Sequence, residues 1–264
     1  LPLSMTFWDY DRVQALADGR ITVEGCDPVP FNLDIHDIFF RAIRNQEFDV
    51  TELSFSSYMT MLARGDPPYR AIPVFLSRMF RHSAIYIRTD RGIEGPKDLK
   101  GRQVGVPEYQ VTAALVARGM LADEYGVAAS DIIWRTGGVE DPGRPEKVSL
   151  VLPPQFRVEP IPTEKSLSGM LAEGELDALI APLPPSCFTG KAPHVGRLFP
   201  DFRKLEKDYF RRTGHFPIMH TVGIRASLVD QYPWLAGNVF EALCQAKDLA
   251  IPRLASYGAA KATL

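Results

Sequence analysis

Short apolar runs alternate with helical patterns along the whole chain. The clearest change of period lies at residues 102–118, RQVGVPEYQVTAALVAR, where an apolar run gives way to a polar turn and then to a segment rich in Ala, Leu and Val. We interpret this stretch as a strand at 103–106, a turn at 107–110 and a helix from 111 onward. The same pattern predicts further strands at 3–8, 49–53, 71–74, 84–88, 132–135, 178–181 and 221–224.

Helices alternate with these strands, which is typical of parallel, doubly wound α/β sheets. Polar, turn-rich segments at 90–100 and 215–221 interrupt the alternation. The chain is therefore predicted to form two α/β lobes joined by two crossings, with 1–88 and 222–264 in the first lobe and 89–221 in the second. Because ligands lie beyond the carboxyl ends of parallel strands, we expect a ligand cleft between the lobes. The predicted helices lie at 9–17, 35–45, 56–63, 111–125, 166–173 and 228–247.

Composition places the chain among ordinary globular proteins. Of its 264 residues 45% are hydrophobic and 23% charged, and the net charge of -2 provides no basic field for nucleic acid or an anionic membrane. No run approaches the roughly 20 apolar residues of a membrane span. Cys26, Cys187 and Cys244 are odd in number and far apart, which argues against a disulfide framework or a metal motif. We therefore expect reduced thiols and a cytoplasmic location.

The turn before the helix at 111 carries more hydrogen-bonding groups than a simple connection needs, namely Glu108, Tyr109, Gln110 and, just beyond it, Thr112. A helix N-terminus presents unpaired N–H groups and the positive end of the helix dipole, which favour an anion. A carboxylate or phosphate is the first expectation. The alternative is that Glu108 and Thr112 only cap the helix.

Longer motifs resemble known proteins. Three segments are similar to the type 2 periplasmic-binding-protein fold: GIEGPKDLKGRQVGVPE (92–108), SLSGMLAEGELDALIAP (166–182) and TVGIRASLVDQYPWL (221–235). More specifically, the chain resembles the 4,5-dihydroxyphthalate decarboxylase family, whose members usually continue for some tens of residues past this chain's last position. The motifs that carry this resemblance are WDYDR (8–12), FDVTELSFSSY (48–58), RGDPPY (64–69), FRHSAIYI (80–87), GVPEYQVTAA (105–114), PGRPEK (142–147) and FRRTGHFPIMHTV (210–222).

The resemblance implies a carboxy-lyase that removes one carboxylate from 4,5-dihydroxyphthalate and yields protocatechuate and carbon dioxide. Each carboxylate has a hydroxyl para to it, so an ionising phenol can supply electron density while the ipso carbon takes up a proton. The intermediate then expels carbon dioxide without an organic cofactor. Such a site must hold two carboxylates, polarise a catechol and deliver a proton.

Arginine suits the carboxylates because its planar fork forms paired, charge-assisted hydrogen bonds. We expect Arg81 and Arg144 to grip the substrate, with Arg78 as a third contact. The alternative is that these arginines form surface or interlobe salt bridges.

Histidine is the default group for proton delivery near neutral pH. We expect His220 and His82 to be the acid/base pair, with the donor unassigned between them. The alternative is that each is structural, which is the commoner role of a lone histidine. His36, His194 and His215 are expected at the surface, at caps or behind the site.

The catechol requires its own contacts. Glu108 is expected to accept a phenolic proton, and Trp8, together with Tyr10, to flank the ring. The alternatives are that the serines of SFSSY cap a helix and that the aromatic side chains pack within the lobe. Four side chains are expected to hydrogen-bond the hydroxyls or the second carboxylate: Ser56, Tyr58, Tyr109 and Thr112.

No cofactor is predicted. A divalent metal is conceivable, since catechols chelate cations and His82, His220 and Glu108 can converge, but no short ligand motif is present. The expected partner is a small aromatic carboxylate, and the apolar surface of the last predicted helix can support a homo-oligomer. Two other functions stay open: a non-catalytic binding protein that delivers a carboxylate to a transporter, and another lyase or hydrolase acting on a related aromatic acid.

Overall fold

A computed structural model describes residues 1–65 and 67–256, with side chains up to 252. The chain divides into two compact units: Leu1–Ser77 with the described residues from Ile218 onward, and Arg78–Pro217. The sequence had placed the first crossing after residue 88. The strand Ile85–Arg88 instead belongs to the sheet of the second unit. An apolar strand next to a crossing does not reveal which sheet it joins, because either sheet would bury it equally well.

The first unit contains a five-stranded sheet of order β2-β1-β3-β11-β4. Strand β1 pairs in parallel with β2 and β3, whereas β11 runs antiparallel to β3. The sheet is therefore mixed, whereas the sequence predicted a parallel sheet. β3 is buried along its whole length. The strands are β1 (Pro2–Thr6), β2 (Asp27–Phe31), β3 (Val50–Ser54), β4 (Tyr69–Arg78) and β11 (Ile218–Arg225).

Helices connect the strands of the first unit. The Asp34 carboxylate accepts the N–H of His36 at 2.8 Å and caps one of them. A single helix was predicted at 228–247, but the structure has two helices that meet at 232–234, because Pro233 disfavours helical backbone at Tyr232. The helices are α1 (Gln14–Ala17, after a 3₁₀ turn at Asp11–Val13), α2 (Ile35–Phe40, continued by a π turn at Arg41–Asn45), α3 (Phe55–Ala63), α8 (Ala226–Gln231) and α9 (Leu235–Ser256).

The second unit contains a six-stranded sheet of order β10-β5-β9-β6-β7-β8. β9, β6, β7 and β8 pair in parallel with one another in this order, and β5 is antiparallel to both β9 and β10. This sheet is therefore mixed as well. The strands are β5 (Ile85–Arg88), β6 (Gln103–Val106), β7 (Ile133–Thr136), β8 (Arg157–Pro160), β9 (Ala178–Ile180) and β10 (Val195–Arg197).

The predicted strand-turn-helix at 102–118 is confirmed in the second unit. β6 is followed by a turn and by α4, which begins at Thr112 and ends against Gly126 in the left-handed conformation (φ 67°). Ala114, Ala117 and Leu121 are buried in α4, at helical spacing. The helices of this unit are α4 (Thr112–Tyr125), α5 (Leu167–Glu173), α6 (Ser186–Thr189) and α7 (Phe202–Thr213).

Each unit has its own hydrophobic core. In the first, Leu3, Val50 and Val222 from the sheet pack with Leu235 and Val239 of α9. The main core of the second unit includes Val104 of β6, Ile180, Leu121, Leu99 and the fully buried Trp134. No helix among residues 1–65 and 67–256 combines the length and apolar character needed to cross a bilayer.

All eight predicted strands are present, whereas β2, β8 and β10 were missed. All three lie at sheet edges, where one side of the backbone faces no other strand. β2 (DPVPF) and β8 (RVEP) contain proline and are largely exposed, as edge strands tolerate. Such strands lack the apolar run that marks a central strand. The sequence also missed α6 and the strongly polar α7.

Gly223 on β11 lies where two neighbouring strands leave no room for a side chain. A Cβ at this position would lie 2.4 Å from Leu53 Cδ1 and 3.0 Å from Tyr69 Cβ. We expect Gly223→Ala to reduce the free energy of unfolding by about 1–3 kcal/mol through overpacking. The matched control is Gly119→Ala on the exposed face of α4, where an added Cβ would meet no atom within 4 Å, and it should stabilise the fold by about 0.5–1 kcal/mol. Urea unfolding measures the free energy of unfolding of both variants. A Gly223→Ala variant as stable as the wild type would contradict this packing.

Candidate active site

A histidine, a buried carboxylate and a tyrosine meet in the first unit. His220 Nδ1 lies 2.6 Å from Glu52 Oε1, and the Tyr10 hydroxyl donates to the same oxygen at 2.8 Å. The Trp8 backbone N–H donates to the other oxygen, Glu52 Oε2, at 3.0 Å. The imidazole and Phe39 rings also form a T-shaped contact, with 4.8 Å between the ring centres. Three donors thus surround one carboxylate that has no solvent exposure.

The pairing of β3 with β11 explains why Glu52 and His220 meet. Val222 is the cross-strand partner of Glu52, and His220 is the partner of Ser54. Glu52 and His220 are therefore diagonal neighbours on one face of the sheet, within reach of long side chains. A carboxylate accepts hydrogen bonds, so the tautomer that fits this contact carries its proton on Nδ1, and Nε2 takes no part in the contact with Glu52.

Tyr10 stays a protonated donor in this cluster. Burial, and then the adjacent Glu52 charge, raise the pKa of its phenol well above the usual range. Trp8 links the cluster to a cavity of about 300 Å³ in the first unit. Its backbone N–H donates to Glu52, and Trp8 is also one of the residues that line the cavity. Most other lining residues are apolar, including Met5, Val13 and Phe31. Trp8 is 37% exposed, and its predicted contact with an aromatic ring stays a prediction.

A second buried carboxylate, Glu108, organises the turn before α4 in the other unit. Its Oε1 accepts from the Arg144 guanidinium at 3.0 Å and from the Lys147 ammonium, and its Oε2 accepts from the Lys147 N–H and the Gln110 amide, both at 2.9 Å. The side chains of Glu108 and Lys147 have 0% and 2% exposure, whereas that of Arg144 has 27%. Glu108 is thus engaged in holding a loop and does not cap α4.

The same turn is tied down by a second set of contacts. The Tyr109 N–H donates to the Glu146 carboxylate, and Arg118 donates to the Tyr109 carbonyl at 2.6 Å. The Arg118 guanidinium also lies 3.8 Å from the centre of the Tyr109 ring, which packs edge-on against Trp134. Tyr109 is therefore a core residue of this unit, and its predicted contact with substrate stays a prediction.

Electrostatics favour an ionised Glu108. Burial alone would raise the pKa of its carboxyl, but Lys147 and then Arg144 hold the pKa below its ordinary value. A carboxylate with a lowered pKa and four donors is a poor acceptor for a phenolic proton. Its predicted role as a base is untested, and its surroundings favour a positioning role.

Arg81 and His82 are buried in the second unit. Burial lowers the pKa of Arg81 to about 10, and its guanidinium donates to the Pro182 carbonyl at 3.2 Å. His82 packs edge-on against Phe199 and Tyr209, and burial lowers its pKa, which disfavours the charged imidazolium. Among the described residues its Nδ1 has no hydrogen-bond partner. His82 and His220 belong to different units, and their pairing stays a prediction.

The remaining predicted contacts lie in varied surroundings. Arg78 is exposed and donates to the Phe216 carbonyl at 3.0 Å. Tyr58 belongs to a hydrophobic cluster of the first unit, where its hydroxyl accepts the Ala71 N–H. Ser56 and Thr112 are buried in the first turns of α3 and α4. Their contacts with substrate stay predictions. Within the described part of the chain, no group of three or more His, Cys, Asp or Glu side chains is placed to hold a metal ion.

The chain is similar to two relatives that share one name, and one of these matches covers its whole length. It is 48% identical over 264 residues to a 4,5-dihydroxyphthalate decarboxylase of Comamonas testosteroni, and the match covers 100% of this chain and 80% of that one. The chain belongs to the 4,5-dihydroxyphthalate decarboxylase family. A relative of the same name from Pseudomonas putida is 49% identical over 211 residues, which cover 80% of this chain and 82% of that one. No family model matches the chain.

Solved structures confirm that this family member has a periplasmic-binding-protein-like fold. The periplasmic aliphatic sulphonate binding protein SsuA of Escherichia coli has a TM-score of 0.53 and 13% identity, covering 96% of this chain and 75% of that one. SsuA of Xanthomonas axonopodis pv. citri has a TM-score of 0.55 at the same identity and coverage. The desulfurization enzyme DSZB has a TM-score of 0.50 and 14% identity, and the match covers 97% of this chain and 78% of that one. At such identities the likeness concerns the fold alone.

Sequence reasoning missed two residues that organise the clusters of this family member, Glu52 and Lys147. Both lie inside motifs that the sequence singled out, FDVTELSFSSY and PGRPEK. A signal for Glu52 was available, because an acid within a predicted buried strand must find donors. No comparable signal existed for Lys147, which lies in a polar loop where lysine is usually exposed.

Replacing Glu108 tests the ion cluster through stability. Glu108→Gln leaves the buried Lys147 ammonium uncompensated and should cost about 3–5 kcal/mol at pH 7. The pKa of Glu108 is lower in the folded chain than its ordinary value of 4.5. The contribution of its ionised form to the free energy of unfolding is therefore complete above pH 4.5 and is lost as the pH falls through the folded pKa. Urea unfolding from pH 7 to pH 3 should therefore show the two proteins converging in stability.

The matched control is Glu175→Gln, which breaks an exposed ion pair with Lys165 and should leave stability close to wild type. A constant stability difference between wild type and Glu108→Gln across this pH range would contradict the ionised state assigned to Glu108.

Proposed function

We propose that this chain decarboxylates 4,5-dihydroxyphthalate to protocatechuate and carbon dioxide. The proposal is carried by 48% identity, over the whole chain, to a relative of that name. The cluster of His220 with Glu52 adds the group that the reaction needs, a histidine whose one nitrogen is fixed by a buried carboxylate.

The reaction consumes one proton. An ionising phenol pushes electron density into the ring, and the ipso carbon para to it takes up a proton, which interrupts aromaticity. The bond between that carbon and the carboxylate then breaks, its electron pair restores the aromatic ring, and carbon dioxide leaves. Regaining the phenolic proton completes the product. The protein must therefore place one acid close to one carbon.

His220 is the proton donor in this proposal. Glu52 accepts the Nδ1–H and stabilises the imidazolium, so the proton on Nε2 is the one delivered to carbon. Tyr10 and the Trp8 N–H hold Glu52 in place by donating to its two oxygens. The His220 side chain retains 17% exposure, which allows reprotonation from solvent between turnovers. His82 is packed among aromatic rings and its pKa is lowered by burial, which suits proton delivery less well.

Substrate carboxylates are assigned to arginines of the second unit. Arg144 retains solvent exposure, whereas Arg81 is almost completely buried, so Arg144 is the more accessible anchor. We further propose that the reaction needs no organic cofactor and takes place in the cytoplasm. Self-association through α9 also stays a proposal.

The alternative of a non-catalytic binding protein is not favoured. Its support comes from the fold, which SsuA shares at 13% identity, whereas the relatives at 48% and 49% identity are named decarboxylases. Fold alone does not decide between transport and catalysis. Release of carbon dioxide from 4,5-dihydroxyphthalate by the pure protein distinguishes them.

Replacing the donor and its carboxylate tests this function. We expect His220→Gln to lower kcat by about 10²–10⁴-fold, the usual contribution of a general acid. Glu52→Gln should lower kcat by about 10²-fold or more while KM changes less than about threefold, because Glu52 acts on proton transfer and not on binding. Carbon dioxide release and protocatechuate formation measure both.

The matched control is His36→Gln, an exposed histidine at the start of α2, which should keep wild-type kinetics. Pure wild-type protein that binds 4,5-dihydroxyphthalate and never converts it, with or without divalent metal, would rule out the enzyme assignment.

A further inference from the structure

Two donors to Glu52 come from the segment between β1 and α1. The Trp8 backbone N–H donates to Oε2 at 3.0 Å, and the Tyr10 hydroxyl donates to Oε1 at 2.8 Å. His220 Nδ1 lies 2.6 Å from the same oxygen, Oε1. The position of this segment therefore determines how the carboxylate that contacts His220 is held.

Arg12 anchors the segment to a distant strand. Its guanidinium donates through Nε to the Leu76 carbonyl at 2.9 Å, and Nη2 donates to the same oxygen. Leu76 belongs to β4, and the strands that carry Glu52 and His220 lie between β1 and β4 in the sheet. The segment thus spans these two strands, and Arg12 fastens its far side.

The same guanidinium fixes the ring of Tyr10. The Cζ atom of Arg12 lies 4.1 Å from the centre of this ring, and the face of an aromatic ring attracts a cation at this distance. The Trp8 ring makes a T-shaped contact with the Tyr10 ring, with 5.5 Å between the centres. Two neighbours from its own segment therefore hold the phenol, and the ring in turn determines where its hydroxyl lies.

The Tyr10 hydroxyl lies at a point where its exact position matters. It donates to Glu52 Oε1, lies 3.3 Å from His220 Nδ1 and hydrogen-bonds with the Ser77 side chain. Its O–H and the Nδ1–H of His220 share one carboxylate oxygen. A displaced hydroxyl would remove a donor that orients the carboxylate, and the imidazole bound to the same oxygen would turn with it.

The charge of Arg12 acts in the same sense as its geometry. Burial, and then the Glu52 charge, raise the pKa of the Tyr10 phenol, whereas the Arg12 charge lowers it and so strengthens the phenol as a donor. Arg12 also contacts Asp11 at 3.1 Å, but the side chains of this pair are 34% and 40% exposed. A pair this exposed contributes little to stability, so the contacts with Leu76 and Tyr10 explain the position of Arg12 better.

We propose that Arg12 is a positioning residue for the proton donor, which holds the Tyr10 hydroxyl on Glu52 and thereby orients His220. That His220 delivers a proton rests on the proposed function. The coupling of Arg12 to His220 rests on contacts within the first unit alone. Sequence reasoning assigned no role to Arg12, although it lies in the motif WDYDR (8–12).

Arg12→Lys tests the proposal because lysine keeps the charge and lacks the planar fork that contacts the Leu76 carbonyl and covers the ring. We expect it to lower kcat for 4,5-dihydroxyphthalate about tenfold by misplacing the reacting groups, while KM changes less than about threefold. Tyr10→Phe keeps the ring and removes the hydroxyl. It should lower kcat at least about tenfold, since it removes a hydrogen bond to a charged group. Carbon dioxide release measures both variants.

The double variant Tyr10→Phe/Arg12→Lys shows whether Arg12 acts through Tyr10. Once the hydroxyl is absent, Arg12 has no hydroxyl to position. The double variant should therefore lose no more than about twofold in kcat beyond Tyr10→Phe alone.

Nuclear magnetic resonance follows His220 without turnover. The chain has five histidines, and the ring nitrogens of His220 are assigned by their loss in His220→Gln. Long-range proton–nitrogen correlation spectra of the free protein then report the hydrogen bond at Nδ1. We expect the Nδ1 resonance to move in the same direction in Tyr10→Phe and Arg12→Lys, because both changes take the Tyr10 hydroxyl away from the oxygen that Nδ1 contacts.

The matched control is Arg20→Lys, an exposed arginine of the same unit that pairs with Asp18 at 2.7 Å. It should keep the wild-type kinetics and the wild-type resonance of His220. Urea unfolding should place Arg12→Lys close to the wild type, because the Arg12 side chain is partly exposed, so that its loss of activity does not reflect loss of the fold.

Three results would overturn the inference: a wild-type kcat in Arg12→Lys, losses that multiply in the double variant, or an unmoved Nδ1 resonance in Arg12→Lys. Failure of the wild type to release carbon dioxide would instead overturn the proposed function, and the Nδ1 resonance would still test the coupling of Arg12 to His220.

Discussion

A carboxylate removed from water must be surrounded by donors, and both polar clusters of this protein are built on that requirement. Glu52 satisfies it with a histidine, a tyrosine and a backbone N–H, and Glu108 satisfies it with a lysine, an arginine, an amide and a backbone N–H. In each unit the donors come from segments far apart in sequence. Burying one charge therefore fixes the positions of several others.

The two carboxylates act differently because their donors differ in charge. Glu52 contacts an imidazole nitrogen, a phenol and a backbone N–H, and none of these three is a permanent cation. Glu108 contacts two cations, and its pKa is held low as a consequence. The first arrangement suits proton transfer, and the second suits the fixing of an arginine. The same type of side chain thus lies in two different electrostatic environments, which its neighbours set.

The fold of this protein does not by itself determine its chemistry. A periplasmic-binding-protein-like fold is shared with SsuA at 13% identity, so the fold does not specify what is bound or converted. The groups that can specify it are individual polar side chains on that scaffold, such as Glu52 within the buried β3 and His220 on β11. They sit on strands, whose positions the core fixes, and this limits their motion.

The sequence by itself determined the central strands, the strand-turn-helix at 102–118 and the family, because apolar periodicity and long motifs are local properties of the chain. It also named His220, Arg144 and Glu108. Only the tertiary structure decided that β5 joins the second sheet, that edge strands such as β2 and β8 exist, and that Glu52 lies against His220 and Lys147 against Glu108. The reason is that strand pairing and the choice of partner for a buried charge depend on contacts between residues distant in sequence, which periodicity does not record.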